Sequence, residues 1–258
     1  MDCIAGCDRS INHWIWLHIK KIKIMIKIEG LSKSFGSFYA LRDVNLEMNS
    51  GEYWIIVGPN GAGKTTLLKI IATLSRPSKG KININGSISE ENRLYIRKQI
   101  GFIGHQSFLY DNLTAEENLK FYSRMYQLSN AVERISSILQ RVGLWERKHD
   151  LVRTFSRGMQ QRLSIGRALL TDPNIVLLDE PFSGLDQSAI DNFVELFTSL
   201  ISPDRVIIMT THNLQLGLQL ASHFAILSKG KIVQKGQAST KTFPEFKQMY
   251  RELTGEAK

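Results

Sequence analysis

Cysteine is almost absent: Cys3 and Cys7 are the only two in 258 residues, so cysteine supplies neither a disulfide framework nor a four-ligand zinc site. That scarcity fits a reducing compartment. No apolar run approaches the roughly 20 residues needed to cross a bilayer as a helix. The N-terminus has neither the apolar core of a secretory signal nor a small-residue cleavage site, and the expected location is the cytoplasm. Net charge is +9, yet the basic residues are dispersed and form no long Lys/Arg block; no nucleic-acid partner is expected. There is no internal repeat, no low-complexity tract and no second phosphate loop. With 43% hydrophobic residues the chain has enough apolar content for a packed core, arranged as one large domain or two small ones.

What is present is concentrated in Gly58-Pro59-Asn60-Gly61-Ala62-Gly63-Lys64-Thr65-Thr66, a G-x-x-x-x-G-K-T spacing. The run Tyr53 to Val57 reads as a buried strand and Leu67 to Leu74 as a helix, so the glycines fall at a strand-to-helix turn. There they let successive backbone N–H groups converge on phosphates, and the helix dipole favours the same charge. Lys64 can reach the β- and γ-phosphates, Thr65 can ligate magnesium, and Asn60, Gly61, Gly63 and Thr66 complete the cradle. A nucleoside triphosphate with Mg2+ is the expected ligand.

Around this loop the pattern is strand-rich from Ile22 to about Ser89, with candidate strands at Val44 to Met48, Tyr53 to Val57 and Lys81 to Asn85. Helical periodicity takes over from Thr114 to Arg141. Parallel-sheet character returns in Ile175 to Leu178 and Val206 to Met209, apolar on both faces, with a helix from about Ser188 to Leu200 between them. Phe224 to Ser228 and Lys231 to Lys235 flank a Lys229-Gly230 turn, which suggests a hairpin before a short terminal helix. Residues 1–24 fit the rest poorly and are expected to be a poorly ordered or non-native extension. An upstream start codon explains them; a short membrane-surface segment built on the aromatics with Lys20, Lys21 and Lys23 is the rival reading. Residues 25–258 are expected to form a single domain.

Asp179 and Glu180 close the apolar strand at 175–178, placing two carboxylates at the C-terminal edge of a parallel sheet, where α/β proteins bind ligands. Asp179 suits the magnesium shell, and Glu180 can accept a proton from the water that attacks the γ-phosphate.

From Met25 onward this order of motifs resembles the nucleotide-binding subunit of an ATP-binding cassette (ABC) transporter. The resemblance implies an α/β P-loop NTPase core with an antiparallel β subdomain and an α-helical subdomain at about 92–165. It implies that Phe35 stacks on adenine, that Gln106 in Gly104-His105-Gln106-Ser107 reaches magnesium, and that His212 contacts the γ-phosphate as the second catalytic residue. Phe155-Ser156-Arg157-Gly158-Met159-Gln160-Gln161-Arg162 resembles the family signature, in which Ser156 and Gly158 contact the triphosphate held by a second subunit. Arg157 and Met159 depart from its common form, where two glycines precede a glutamine, and mark a subtype. Ser183-Gly184-Leu185-Asp186 matches the turn after the carboxylates.

The implied partners are a transmembrane permease and a second ABC ATPase subunit, a homodimer in the ATP-bound state, peripheral on the inner face of the cell membrane. The runs His105 to Thr114 and Ser156 to Arg162 are similar to the ATP-binding subunit of the haem exporter of cytochrome c maturation. Phe108-Leu109-Tyr110 and the helix around Leu119 to Tyr126 form either a groove for a cytoplasmic helix of the permease or ordinary helix packing. Two further classes compete: a soluble cassette ATPase acting on nucleic acid or ribosomes, and a regulator that no longer hydrolyses. The first typically carries two cassettes or a coiled-coil or zinc-bearing insertion, none of which is seen; the second would have lost Glu180 or His212, and both are here.

Overall fold

Strand β1 (Met25–Phe35) folds back on β2 (Phe38–Asn49) with Ile26 opposite Met48 and Ile28 opposite Leu46. All four side chains are buried, because the period-2 alternation with lysine and glutamate turns one face inward. β4 (Lys79–Ile84) and β5 (Ser87–Ile88) extend this antiparallel sheet in the order β2-β1-β4-β5. The computed structural model describes residues 25–89, 91–104, 107–184 and 186–255, with the backbone alone for 188, 189 and 192; the expectations for residues 1–24, for Gln106 and for Leu185 lie outside these.

The second sheet has the order β10-β9-β3-β8-β7-β6. Its strands are β3 (Tyr53–Val57), β6 (Ile100–Ile103), β7 (Ile175–Asp179), β8 (Val206–Thr210), β9 (His223–Ser228) and the antiparallel edge β10 (Lys231–Gln237). β3, β7 and β8 are buried at every position, as expected of parallel strands covered on both faces. On one side Trp54 and Ile56 join the apolar face of the antiparallel sheet and helix α1 (Lys64–Ile71); on the other, Tyr53, Ile55 and Val57 meet the helical layer.

That layer contains α3 (Ala115–Met125), α4 (Ala131–Arg141) and α5 (Arg157–Leu169), which pack on one another. Helices α6 (Gln187–Thr198), α7 (Leu214–Leu220) and α8 (Phe243–Thr254) complete it. The α/β architecture with an antiparallel sheet and a helical layer is the one expected.

Several boundaries differ from the sequence reading, among them the start of β2, six residues before the expected Val44. Helix α1 starts at Lys64, three residues early, because Gly63 takes φ 107 and lets the loop enter the helix directly; it ends at Ile71, with Thr73 at φ 59. Helix α2 (Arg93–Lys98) and strand β6 were not foreseen. Each is too short for periodicity to reveal.

Candidate functional site

Register decides the site. β8 lies between β3 and β7, pairing Ile56 with Thr210 and Asp179 with Thr210. The phosphate loop leaving β3, the carboxylates ending β7 and the Thr210-Thr211-His212 run ending β8 therefore share one sheet edge.

The loop is shaped by what its glycines leave out. A Cβ on Gly58 would sit 2.1 Å from the Leu227 carbonyl oxygen, and one on Gly63 would sit 2.4 Å from that of Ala40, so no other residue fits either position without moving backbone. The first bond of α1 runs from Leu67 N–H to Gly63 O at 2.9 Å. The amides of Lys64, Thr65 and Thr66 thus precede any intrahelical acceptor and carry the positive end of the dipole. The Lys64 ammonium is buried and donates to the carbonyls of Gly58 (2.6 Å) and Pro59 (3.3 Å), 3.8 Å from Glu180 Oε1.

A cleft of about 380 Å³ opens over this loop, lined by Asn60, Gly61, Gly63 to Thr66 and Glu180, with Phe35 and Phe38 at its mouth. Both rings are more than half exposed, at 57% and 61%, and Lys33 Nζ lies 5.0 Å from the Phe35 centroid. Either flat face can take a purine. Gly58 stands behind the lining, acting through its carbonyl on Lys64 and through its contact with β9.

Asp179 is buried, and its Oδ1 accepts from Thr65 Oγ1 (3.0 Å) and Thr210 Oγ1 (2.8 Å). Among the described residues no group of three or more His, Cys, Asp or Glu side chains can hold a metal by itself. One carboxylate and one hydroxyl fit magnesium, which is bound through few protein ligands and completes its shell with phosphate oxygens and water.

Glu180 takes φ 51, a costly conformation for a non-glycine residue that gathers at functional sites. Its N–H donates to Thr210 O (3.2 Å) and Oγ1 (3.1 Å). Its Oε2 accepts from His212 N–H (3.2 Å) and lies 2.8 Å from His212 Nδ1. The carboxylate is 13% exposed and the imidazole 68%, so a largely buried carboxylate is held by an exposed histidine.

Ser156 and Gly158 lie elsewhere. Ser156 caps α5, its Oγ accepting from Met159 N–H at 3.3 Å, and neither residue lines the cleft over Lys64. The Arg157 guanidinium lies over Gly184 so closely that a Cβ there would be 2.4 Å from it. The arginine thus packs on the turn after the carboxylates instead of standing over the amides of α5. Sequence reasoning brought Lys64, Thr65, Asp179, Glu180 and His212 together as the structure places them; it missed Thr210, whose only sequence signal is its place two residues before His212.

A phosphate cradle at a strand-to-helix turn, with two carboxylates from a nearby parallel strand, defines a P-loop nucleoside triphosphatase. The family model described as "ABC transporter" matches residues 41–183. The chain is 36% identical over 200 residues to the ABC transporter ATP-binding protein NatA of Bacillus subtilis (strain 168), covering 76% of this chain and 81% of that one. It is 32% identical over 214 residues to the linearmycin resistance ATP-binding protein LnrL of the same strain, covering 82% and 69%. A solved ATP-binding subunit of an ABC transporter superposes with TM-score 0.80 at 31% identity, covering 89% of this chain and 99% of that one. The dimeric ATP-binding cassette MJ0796, in a post-hydrolysis state bound to ADP and Pi, superposes with TM-score 0.75 at 27% identity, covering 83% and 98%. The chain belongs to the ABC transporter ATP-binding family and is an ATPase.

Proposed function

We propose that residues 25–258 form one cassette, with a helical subdomain at about 92–165, that drives export through a separate membrane permease from the cytoplasmic face. The single observation that carries the mechanism is the chain of contacts from Lys64 through Glu180 to His212. The resistance function in the name of the LnrL relative favours outward movement. Haem as the exported solute is the narrowest form of this reading and rests on the runs 105–114 and 156–162 alone; neither relative above is a haem exporter.

In this reading Phe35 stacks on adenine, and Gly58 to Thr66 wrap the phosphates. Lys64 leaves its loop carbonyls for the β- and γ-phosphate oxygens. Asp179, Thr65 and Gln106 hold Mg2+, which when bound neutralises charge on those oxygens. Glu180 takes a proton from the attacking water as its oxygen bonds to the γ-phosphorus and the bond to the ADP oxygen breaks. His212, oriented by Glu180 through Nδ1, presents Nε2 to the γ-phosphate. Ser156 and Gly158 serve the nucleotide of a second copy; their distance from this subunit's own cleft and the dimeric state of the MJ0796 neighbour support that arrangement.

The permease would seat a cytoplasmic segment in a groove between α3 and β6, where Phe108, Met125 and Leu74 are exposed apolar side chains. Among the described residues no helix is long and apolar enough to cross a membrane, so the path itself is assigned to the partner.

Glu180→Gln tests the reading. The carboxamide keeps the shape and loses the basicity, so MgATP binding should persist while phosphate release falls by about 10²-fold or more. ATP-dependent dimers should then accumulate in light scattering. Near-normal turnover would remove Glu180 from the role of base.

A further inference from the structure

Glu180 sits at φ 51, and a backbone held in that region persists only where its surroundings over-determine it. On its N-terminal side the hold is β8, through the Thr210 carbonyl and hydroxyl. On its C-terminal side the chain turns at once. Ser183 N–H donates to Glu180 O at 3.1 Å, and Pro181 suits the second position of such a turn. Phe182 is buried and sets its ring edge-on to Phe193 of α6, with centroids 5.1 Å apart. One buried ring fixes where the turn sits but lets it rock about that ring. Contacts at the two ends are needed to fix its tilt.

Both ends are met by one face of α5. Gln161 Nε2 donates to Pro181 O at 3.5 Å. Arg157, four residues earlier and so on the same helix face, reaches the other end. Although Arg157 is an exposed residue, its Nη1, Cζ and Nη2 would stand 2.4, 2.6 and 2.9 Å from a Cβ on Gly184. The guanidinium therefore rests on bare backbone, and glycine, which also takes φ 71 there, is the residue that leaves it room. A cavity of about 120 Å³ has Arg157, Gln161, Ser183 and Glu180 among its lining, so the two contacts and the carboxylate border one space.

We infer that Arg157 is a positioning residue for hydrolysis: with Gln161 it clamps the turn 181–184 from both ends and thereby holds the Glu180 carboxylate in its reacting orientation. The common form of the signature has glycine at position 157 and could make no such contact, so the role belongs to this chain's departure from that form. The inference rests on Glu180 as the base in the reading above and adds what keeps that base in place. Small displacements matter here, because misplacing a catalytic group by about 1 Å can cost about 10²-fold in rate.

The test measures steady-state turnover, single-turnover hydrolysis and, by calorimetry, MgATP affinity of the full chain. Arg157→Ala should lower kcat about 10-fold or more while the MgATP affinity of the isolated subunit stays nearly unchanged. In Glu180→Gln the base is gone, so adding Arg157→Ala should slow the residual single-turnover step no further. Gly184→Ala, whose methyl group displaces the guanidinium, should reproduce the loss in kcat, and should cost markedly less when Arg157→Ala is already present. A normal kcat in Arg157→Ala, or the same fold loss in the native and Glu180→Gln backgrounds, overturns this inference and leaves the ATPase reading standing. Undiminished hydrolysis in Glu180→Gln alone overturns the assignment of the base and this inference with it. Should Gly184→Ala not fold, the pair Arg157→Ala and Glu180→Gln decides by itself.

Discussion

Thr210 joins three parts of the site through one hydroxyl. It is fully buried, donates to Asp179 Oδ1, and accepts from the Glu180 N–H that holds the φ 51 turn. Valine matches its volume and lacks the oxygen, so Thr210→Val leaves the buried Asp179 carboxylate with Thr65 as its remaining hydroxyl donor and the Glu180 N–H with the Thr210 carbonyl as its remaining acceptor. A loss of about 1–2 kcal/mol in urea unfolding is expected, the scale of one net hydrogen bond to a charged group. Turnover should fall with it, because both carboxylates lose a positioning contact, and Thr210→Ser should recover most of both effects. Unchanged stability and turnover in Thr210→Val would show that Thr65 alone holds Asp179.

At the scale of elements, α3 forms one wall of the proposed docking groove and depends on its first turn. Thr114 N–H donates to Glu117 Oε2 (2.8 Å) and Glu117 N–H to Thr114 Oγ1 (3.1 Å), a reciprocal cap. Thr114→Ala should cost about 1 kcal/mol of stability. The cap also makes stability depend on pH in a definite direction. The Thr114 backbone bond, and then its side chain, hold the Glu117 carboxyl below its ordinary value of 4.5. A carboxyl lowered by folding stabilises fully above its unfolded value, and that stabilisation is lost as pH falls through the folded one. The stability difference between the native chain and Glu117→Gln should therefore be constant at neutral pH and shrink as pH drops below 4.5. Urea midpoints across that range check it, and a difference that grows on acidification would refute the cap as the source.

At the scale of the whole molecule, the start of α5 and the phosphate loop do not line one cleft. Ser156 caps α5 at an exposed position outside the cleft lined by Lys64. If it serves the nucleotide of a second copy, Ser156→Arg should leave ATP affinity of the isolated subunit nearly unchanged while abolishing ATP-dependent dimers. Mixed with a Lys64→Ala subunit, it should restore at most one working site per dimer. Calorimetry for affinity and light scattering for assembly separate the two effects. An equal loss of monomer affinity would count against the shared-site arrangement.

Spacing along the chain was enough to identify the loop at 58–66, the buried strands that precede it and that end in Asp179, and the nature of the ligand, because strand, turn and helix are set by neighbours within about ten residues. The strands of the antiparallel sheet were legible for the same reason, in the alternation of Ile26, Ile28, Val44, Leu46 and Met48 with polar residues, whereas their antiparallel pairing came only from the family resemblance. Contacts between distant segments were not legible. That Thr210 meets Asp179 depends on β8 pairing beside β7 in one register; a shift of one residue would turn the hydroxyl to the other face. That Arg157 turns onto Gly184, away from the amides of α5, depends on where α5 sits against the turn after β7. Arg167 reads in sequence as one more cation on an amphipathic helix. Only the packing of the layers around it removes water from that charge, since burial is a property of the assembled layers and not of any one segment.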